Sequence, residues 1–323
     1  MQRPEASRSS GGEQAAPGIV VGIGDSGPGH YSAALQLAAQ LSGQRKAALT
    51  LVHGCLPRLS LALRDEALER YLRHGQKLLE EAEQALAGMV DQSIPVSLAA
   101  LPQTGVEALL DEASSAAVLV VQRRSQSTVG RVLSGRTSDT VAAQAACPVM
   151  VVQHDHQFGN GKAGVVVGIG AHSGLMALKV GIAEATARKC PLTAVYVWDL
   201  QFSPTFGAGI DPDDEEFAEA TRWADSVLTE AVNEEARAHP EVDFHARSVR
   251  GVIEDALLIE CENAELLVVE RHRDAHLASI GLGTLTRHLL DHAPCPVMVT
   301  PHSDTNDHSR ITRATEPTTS PQA

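Results

Sequence analysis

The sequence predicts an α/β protein built from two tandem doubly wound domains, each a five-stranded parallel sheet with helices on both faces. Three observations predict it. The first is an internal repeat. "IVVGIGDSG" (19–27) matches "VVVGIGAHSG" (165–174), with Gly22 and Gly168 offset by 146 positions. "AAVLVVQRR" (116–124) matches "AELLVVERH" (264–272), and the closing "CPVMVV" (147–152) matches "CPVMVT" (295–300), both at 148. A period this long means two copies of a domain rather than a short-repeat solenoid. The second is alternation of short apolar runs with helical patterns. The third is that the apolar runs lack a polar face. Strands buried on both faces imply a parallel sheet covered on both sides, and right-handed crossovers wind it doubly.

In the first copy "GIVVGI" reads as a strand and "YSAALQLAAQL" has helical spacing. "AALTLVH" is a second strand, and a long helix runs from about Leu59 to Met89. Then follow "IPVSLAAL" (strand), "GVEALLDEA" (helix), "AVLVVQ" (strand), "TSDTVAAQA" (helix) and "PVMVV" (strand). The second copy keeps the order. Pro148 and Pro296 open the last strand, where a missing N–H costs little. Such a strand suits a sheet edge, and an exposed apolar edge invites pairing with another. The two copies are expected to satisfy this by pairing through their last strands.

The boundaries expected are an N-terminal disordered tail (1–16), domains at 17–153 and 164–300, and a polar linker at 154–163. A Ser/Thr/Pro/Asp-rich tail (301–323) reads as disordered. No apolar run approaches the ~20 residues that cross a bilayer. The N-terminus has no apolar core for a secretory signal. Five cysteines without C-x-x-C argue against a disulfide framework or zinc ribbon, so a reducing cytoplasm fits. The net charge is −14. Residues 17–153 carry 11 basic and 12 acidic residues, and residues 154–300 carry 11 and 23, so the second copy holds nearly all of it. So acidic a chain argues against a duplex nucleic-acid partner.

Ligands in doubly wound sheets bind beyond the carboxyl ends of the strands. "GIGDSGPG" (22–29) places G-x-G-x-x-G at Gly22, Gly24 and Gly27, after a strand and before a helix. A dinucleotide site also needs an acid ending the second strand. The first copy has His53-Gly54 there. The second has Asp199 nearby, but Ser173 replaces its third glycine. "GDSG" also suggests a hydrolase loop with Ser26 as nucleophile, yet no histidine has Asp three residues before it. His288 and His292 stand at i, i+4 without an acidic third ligand. Cys147 and Cys295 precede the last strands and read as small buried apolar residues.

The early "VVGI", the late "LLVV" and the closing "LLDHAPCPVMV" resemble the universal stress protein family, and the resemblance covers both copies. It implies a tandem, Rossmann-like member acting in stress response without catalysis. An unnamed regulatory protein partner and a homodimer are expectations of the same kind. Many members bind ATP through G-x-x-G, nine residues, then G-[ST], where glycines admit the phosphates and a helix N-terminus supplies N–H donors. An Asp ending the first strand contacts the nucleoside. The signature positions here hold Glu270, Arg273 and Gly283-Thr284 in the second copy, and Gln122, Ser125 and Gly135-Arg136 in the first. The Asp position is Gly24 or Gly170, with Asp25 one place later. The nucleotide-binding set that the resemblance implies is therefore Gly283, Thr284, Gly170, Val197, Gly135, Gly24, Asp25, Arg123 and Arg136. ATP is the cofactor it suggests, in degenerate loops. Arg123, Arg124, Arg131 and Arg136 can hold an anion by charge; solvated surface arginines are the alternative.

Overall fold

The computed structural model describes residues 17–25, 31–57, 65–123, 135–159, 164–170, 174–198, 215–271 and 282–302. Its first copy runs β1 (Ile19–Gly22), α1 (Ser32–Arg45), β2 (Leu49–Leu56), α2 (Asp65–Leu86), β3 (Val96–Thr104), α3 (Gly105–Ala113), β4 (Val118–Arg123), α4 (Gly135–Gln144) and β5 (Val149–Gln153). The second runs β6 (Val165–Ile169), α5 (Leu175–Arg188), β7 (Leu192–Trp198), α6 (Glu215–Ala238), β8 (Phe244–Arg250), α7 (Ile253–Glu260), β9 (Leu266–Glu270), α8 (Thr284–His292) and β10 (Val297–Thr300). The tail expected at 1–16, all of the tail expected at 301–323 except residues 301–302, and the start of the long helix at 59–64 lie outside the described residues. That helix ends at Leu86 rather than Met89, in a turn where Met89 N–H donates to the Leu86 carbonyl at 2.8 Å.

All ten strands form one sheet in the order β3-β2-β1-β4-β5-β10-β9-β6-β7-β8. Every neighbouring pair is parallel except β5 and β10, which meet antiparallel with Met150 opposite Met298. Pro148 and Pro296 sit just before these strands, and their carbonyls accept from Leu119 and Leu267 at 3.0 Å. The last strand of each copy is an edge only within its own copy. In the chain the two edges cover one another, and the outer edges are β3 and β8.

Alternate strand residues feed two apolar layers. Ile19, Val21, Leu49, Leu51, Val165 and Val167 face α1, α2, α5 and α6. Val20, Val52, Leu119, Val166, Val195 and Leu267 face α3, α4, α7 and α8. Each layer continues through both copies, so the interface belongs to the core. Fully burying one such side chain stabilises by about 1.5–3 kcal/mol. The repeat extends to helix ends: α1 and α5 both stop at a left-handed lysine, Lys46 and Lys189, each with φ 54°. Phe158, in the stretch expected as a polar linker, packs against the first layer.

Candidate functional site

The carboxyl ends of β1, β2 and β4 converge in the first copy, and those of β6, β7 and β9 in the second. Glycine in the family signature would leave the end of the fourth strand bare there. This chain puts side chains in that space. Gln122, near the end of β4, turns its Oε1 to the first turn of α1 and accepts from Ala33 N–H at 2.9 Å and Ala34 N–H at 3.2 Å. Tyr31, the residue before α1, makes no side-chain cap of its own. Glu270, ending β9, does the same for α5. Its Oε2 accepts from Gly174 N–H at 2.8 Å and Met176 N–H at 3.2 Å. Its Oε1 lies 2.7 Å from His302 Nδ1. Gly174 adopts φ 112°, and a Cβ there would stand 3.1 Å from the Ile169 Cα. The backbone angle calls for glycine, and the space beside it is tight.

Four N–H groups without a partner inside the helix begin every helix, and positive potential gathers there. In anion-binding sheets these groups meet the ligand. Here a side chain from the neighbouring strand meets them in both copies. The pairing of Gln122 with Glu270 at the 148 offset was the signal in the sequence. Sequence reasoning saw four lost glycines, two in each copy, and missed the two caps.

The next residue in each copy crosses the domain boundary. Arg123 is 5% exposed. Its Nε lies 2.9 Å from Asp291 Oδ1 on α8, and its Nη1 lies 2.5 Å from Asp139 Oδ1 and 3.3 Å from Ser138 Oγ on α4. Arg271 reaches the other way, its Nη1 donating to the carbonyls of Ala143 at 2.5 Å, Ala145 at 3.3 Å and Ala142 at 3.4 Å. Those carbonyls lie at the C-terminal end of α4, where a cation is favoured. Arg123 is thus not a solvated surface arginine, and its guanidinium faces two carboxylates. Two carboxylates from two domains hold it, because a charge buried between apolar layers is tolerated only when paired.

Asp25, expected as a nucleoside contact, lies beside a buried histidine. Its Oδ1 lies 3.1 Å from His53 Nε2, while His53 Nδ1 lies 2.8 Å from the Ile23 carbonyl. Both ring nitrogens face acceptors, an arrangement that the doubly protonated ring satisfies. Burial disfavours that charge. The hydrogen bonds to Asp25 and Ile23, with the charge of Asp25, outweigh it and raise the His53 pKa above its ordinary value. Helix α2 admits the ring by presenting Gly75, where a Cβ would lie 2.8 Å from His53 Cδ2 and 2.4 Å from Cys55 Sγ.

The remaining expected residues are distributed as follows. Gly24 lies two residues beyond β1 and Gly170 one beyond β6, and both are half-buried. The Val197 side chain is buried in the second apolar layer, which leaves only its backbone for a ligand. Gly283 precedes α8 with φ −57°, and a Cβ there meets nothing within 4 Å. Thr284 is exposed at the first position of α8. Gly135 opens α4; its environment and the Arg136 side chain lie outside the described residues, as do Ser26, Arg124, Ser125, Arg131, Asp199 and Arg273. Cys147 and Cys295 are buried, and burial pushes the Cys147 thiol up to about 11, far from a reactive thiolate. The His288 and His292 rings stack at 4.3 Å. Among the described residues no three His, Cys, Asp or Glu converge on a metal position, and no helix is long and apolar enough to cross a membrane.

Two doubly wound units, joined through their last strands, define a tandem α/β protein in which strand carboxyl ends meet helix starts once per unit. The universal stress protein family model matches residues 18–153 and again 164–301. The chain belongs to that family. A universal stress protein of Mycolicibacterium smegmatis is 29% identical over 294 residues, covering 87% of this chain and 96% of the relative. One of Mycobacterium tuberculosis is 27% identical over 292 residues, with 87% and 95% covered. Among solved structures, a universal stress protein of Archaeoglobus fulgidus superposes with a TM-score of 0.61 at 15% identity, covering 87% of this chain and 98% of that one. At that identity the likeness shows the fold alone.

Proposed function

We propose that this chain is a non-catalytic regulatory module of stress response in which both family nucleotide loops have become structural caps. The observation that carries this reading is the pair Gln122 and Glu270, each accepting two backbone N–H groups at a helix start. Both side chains fill the space at the end of the fourth strand that the signature's first glycine would leave open to a nucleotide phosphate. In the second copy a phosphate there also meets the Glu270 carboxylate. Two like charges about 4 Å apart repel by about 4 kcal/mol at an effective dielectric of about 20, roughly a thousandfold in affinity. In the first copy the Arg123 guanidinium is already held by Asp139 and Asp291. The module works in the cytoplasm through a protein partner, with residues 17–153 and 164–300 as its units and 154–163 as their connection.

The test is calorimetry with ATP and AMP on the purified protein, after mass spectrometry has checked for co-purified nucleotide. No heat at millimolar nucleotide is the expected result, and micromolar binding would overturn the reading. One observation favours a second reading, a working site in the second copy: Gly283-Thr284 stays at the start of α8 with open space beside it. Micromolar ATP affinity that Gly283→Leu abolishes would establish that site.

A further inference from the structure

Among the described residues the exposed large apolar side chains are Tyr71, Met89, Val252, Ile253 and Ile259. The last three lie in or immediately before one helix. Val252 precedes α7 and is 58% exposed, Ile253 begins it at 43%, and Ile259 is 63% exposed beside its last residue. The internal repeat supplies a control. Helices α3 and α7 share a core stretch, Ala108-Leu109-Leu110 against Ala256-Leu257-Leu258. At the positions of Val252, Ile253 and Ile259 the first copy has Thr104, Gly105 and Asp111. Thr104 forms a capping box with Glu107, whereas Val252 makes no side-chain cap. Relative to the first copy, the second lacks a cap and carries three exposed aliphatic side chains, and neither difference stabilises the isolated chain. Clustered exposed apolar residues mark a surface that something else covers.

Charge says what covers it. Val252 and Ile259 lie seven positions apart, on one side of the helix, with Asp255 between them. Asp255 and Glu262 are exposed, Glu254 is half-buried, and α7 contains no basic residue. Glu260 is held by Arg247 at 2.8 Å. A second copy docking by the same face would set Asp255 and Glu262 against their own kind. We propose that α7 of the second copy docks a basic amphipathic helix of a partner protein. Aliphatic side chains of that helix cover Val252, Ile253 and Ile259, and its Lys or Arg side chains face Asp255 and Glu262. The inference rests on the reading of the chain as a module that acts through a partner.

The experiment uses the full chain and a fluorescein-labelled Leu/Lys amphipathic helix of about 18 residues, roughly 27 Å long. A peptide of the same composition in scrambled order is the control. Anisotropy should show the helical peptide binding at least about tenfold tighter than the scrambled one. Ile259→Asp should lose about tenfold, and Met89→Asp should match the unchanged chain. Equal binding of the two peptides, or of Ile259→Asp and the unchanged chain, would overturn the proposal. So would a dimer in sedimentation that Ile259→Asp converts to monomer, because the occupant would then be a second copy. ATP binding in the calorimeter would sink the capped-loop reading while leaving the peptide result standing, so the two failures are distinguishable.

Discussion

Replacing Arg123 with Met tests whether the arginine that follows the family's first glycine position has become a clasp between domains. Met keeps much of the stem volume and removes the guanidinium. The Arg123 side chain is 6% exposed, while Asp139 and Asp291 are 20% and 21% exposed. Removing one partner of a fully buried ion pair costs about 3–5 kcal/mol, because the charge left behind stays desolvated. Here about a fifth of each aspartate side chain is exposed to water, so the expected loss falls to about 2 kcal/mol. Urea unfolding at pH 7 measures it. A double-mutant cycle with Asp291→Asn should return a coupling of about 1 kcal/mol, since the two residues touch across the boundary. A loss under about 0.5 kcal/mol with no coupling would place Arg123 among ordinary surface arginines and refute the clasp.

Three further outcomes are expected. The His53 pKa is raised in the folded chain, so the stability it contributes is fully present below the ordinary histidine value near ~6.5 and fades as pH rises through the folded value. NMR titration of the ring checks this, and Asp25→Asn should lower the midpoint; an unmoved midpoint would remove Asp25 from the account. Gly75→Ala should destabilise by about 1–3 kcal/mol, because its Cβ would meet Cys55 Sγ at 2.4 Å. Calorimetric melting that shows a gain instead would mean the helix-propensity advantage of Ala, about 1 kcal/mol, outweighs the clash. Val252→Thr should restore the cap that Thr104 makes in the first copy. A gain of about 1 kcal/mol in urea unfolding, with weaker peptide binding at α7, is the expected pair of results.

Element order, the tandem architecture and the pairing of last strands were legible in the sequence. They depend on local periodicity and on one comparison of the chain with itself. The two core layers are also written locally. Runs such as Ile19-Val20-Val21 and Leu266-Leu267-Val268-Val269 are apolar at every position because both faces of the sheet are covered. The loss of the signature glycines was equally plain. What replaced their role was not. Gln122 and Ala33 are 89 positions apart, and Glu270 and Gly174 are 96 apart. No local pattern says that an amide or carboxylate on one strand will end beside the first turn of a distant helix.

The two-copy α/β fold and the charge imbalance between the copies follow from residue order alone, because periodicity and composition are properties of the linear chain. The fate of the polar residues at the strand ends was set by folding in three dimensions. Arg123 became a clasp, Asp25 a partner of His53, and Glu270 a helix cap. A polar side chain's role follows from which distant donors and acceptors the fold brings within about 3 Å.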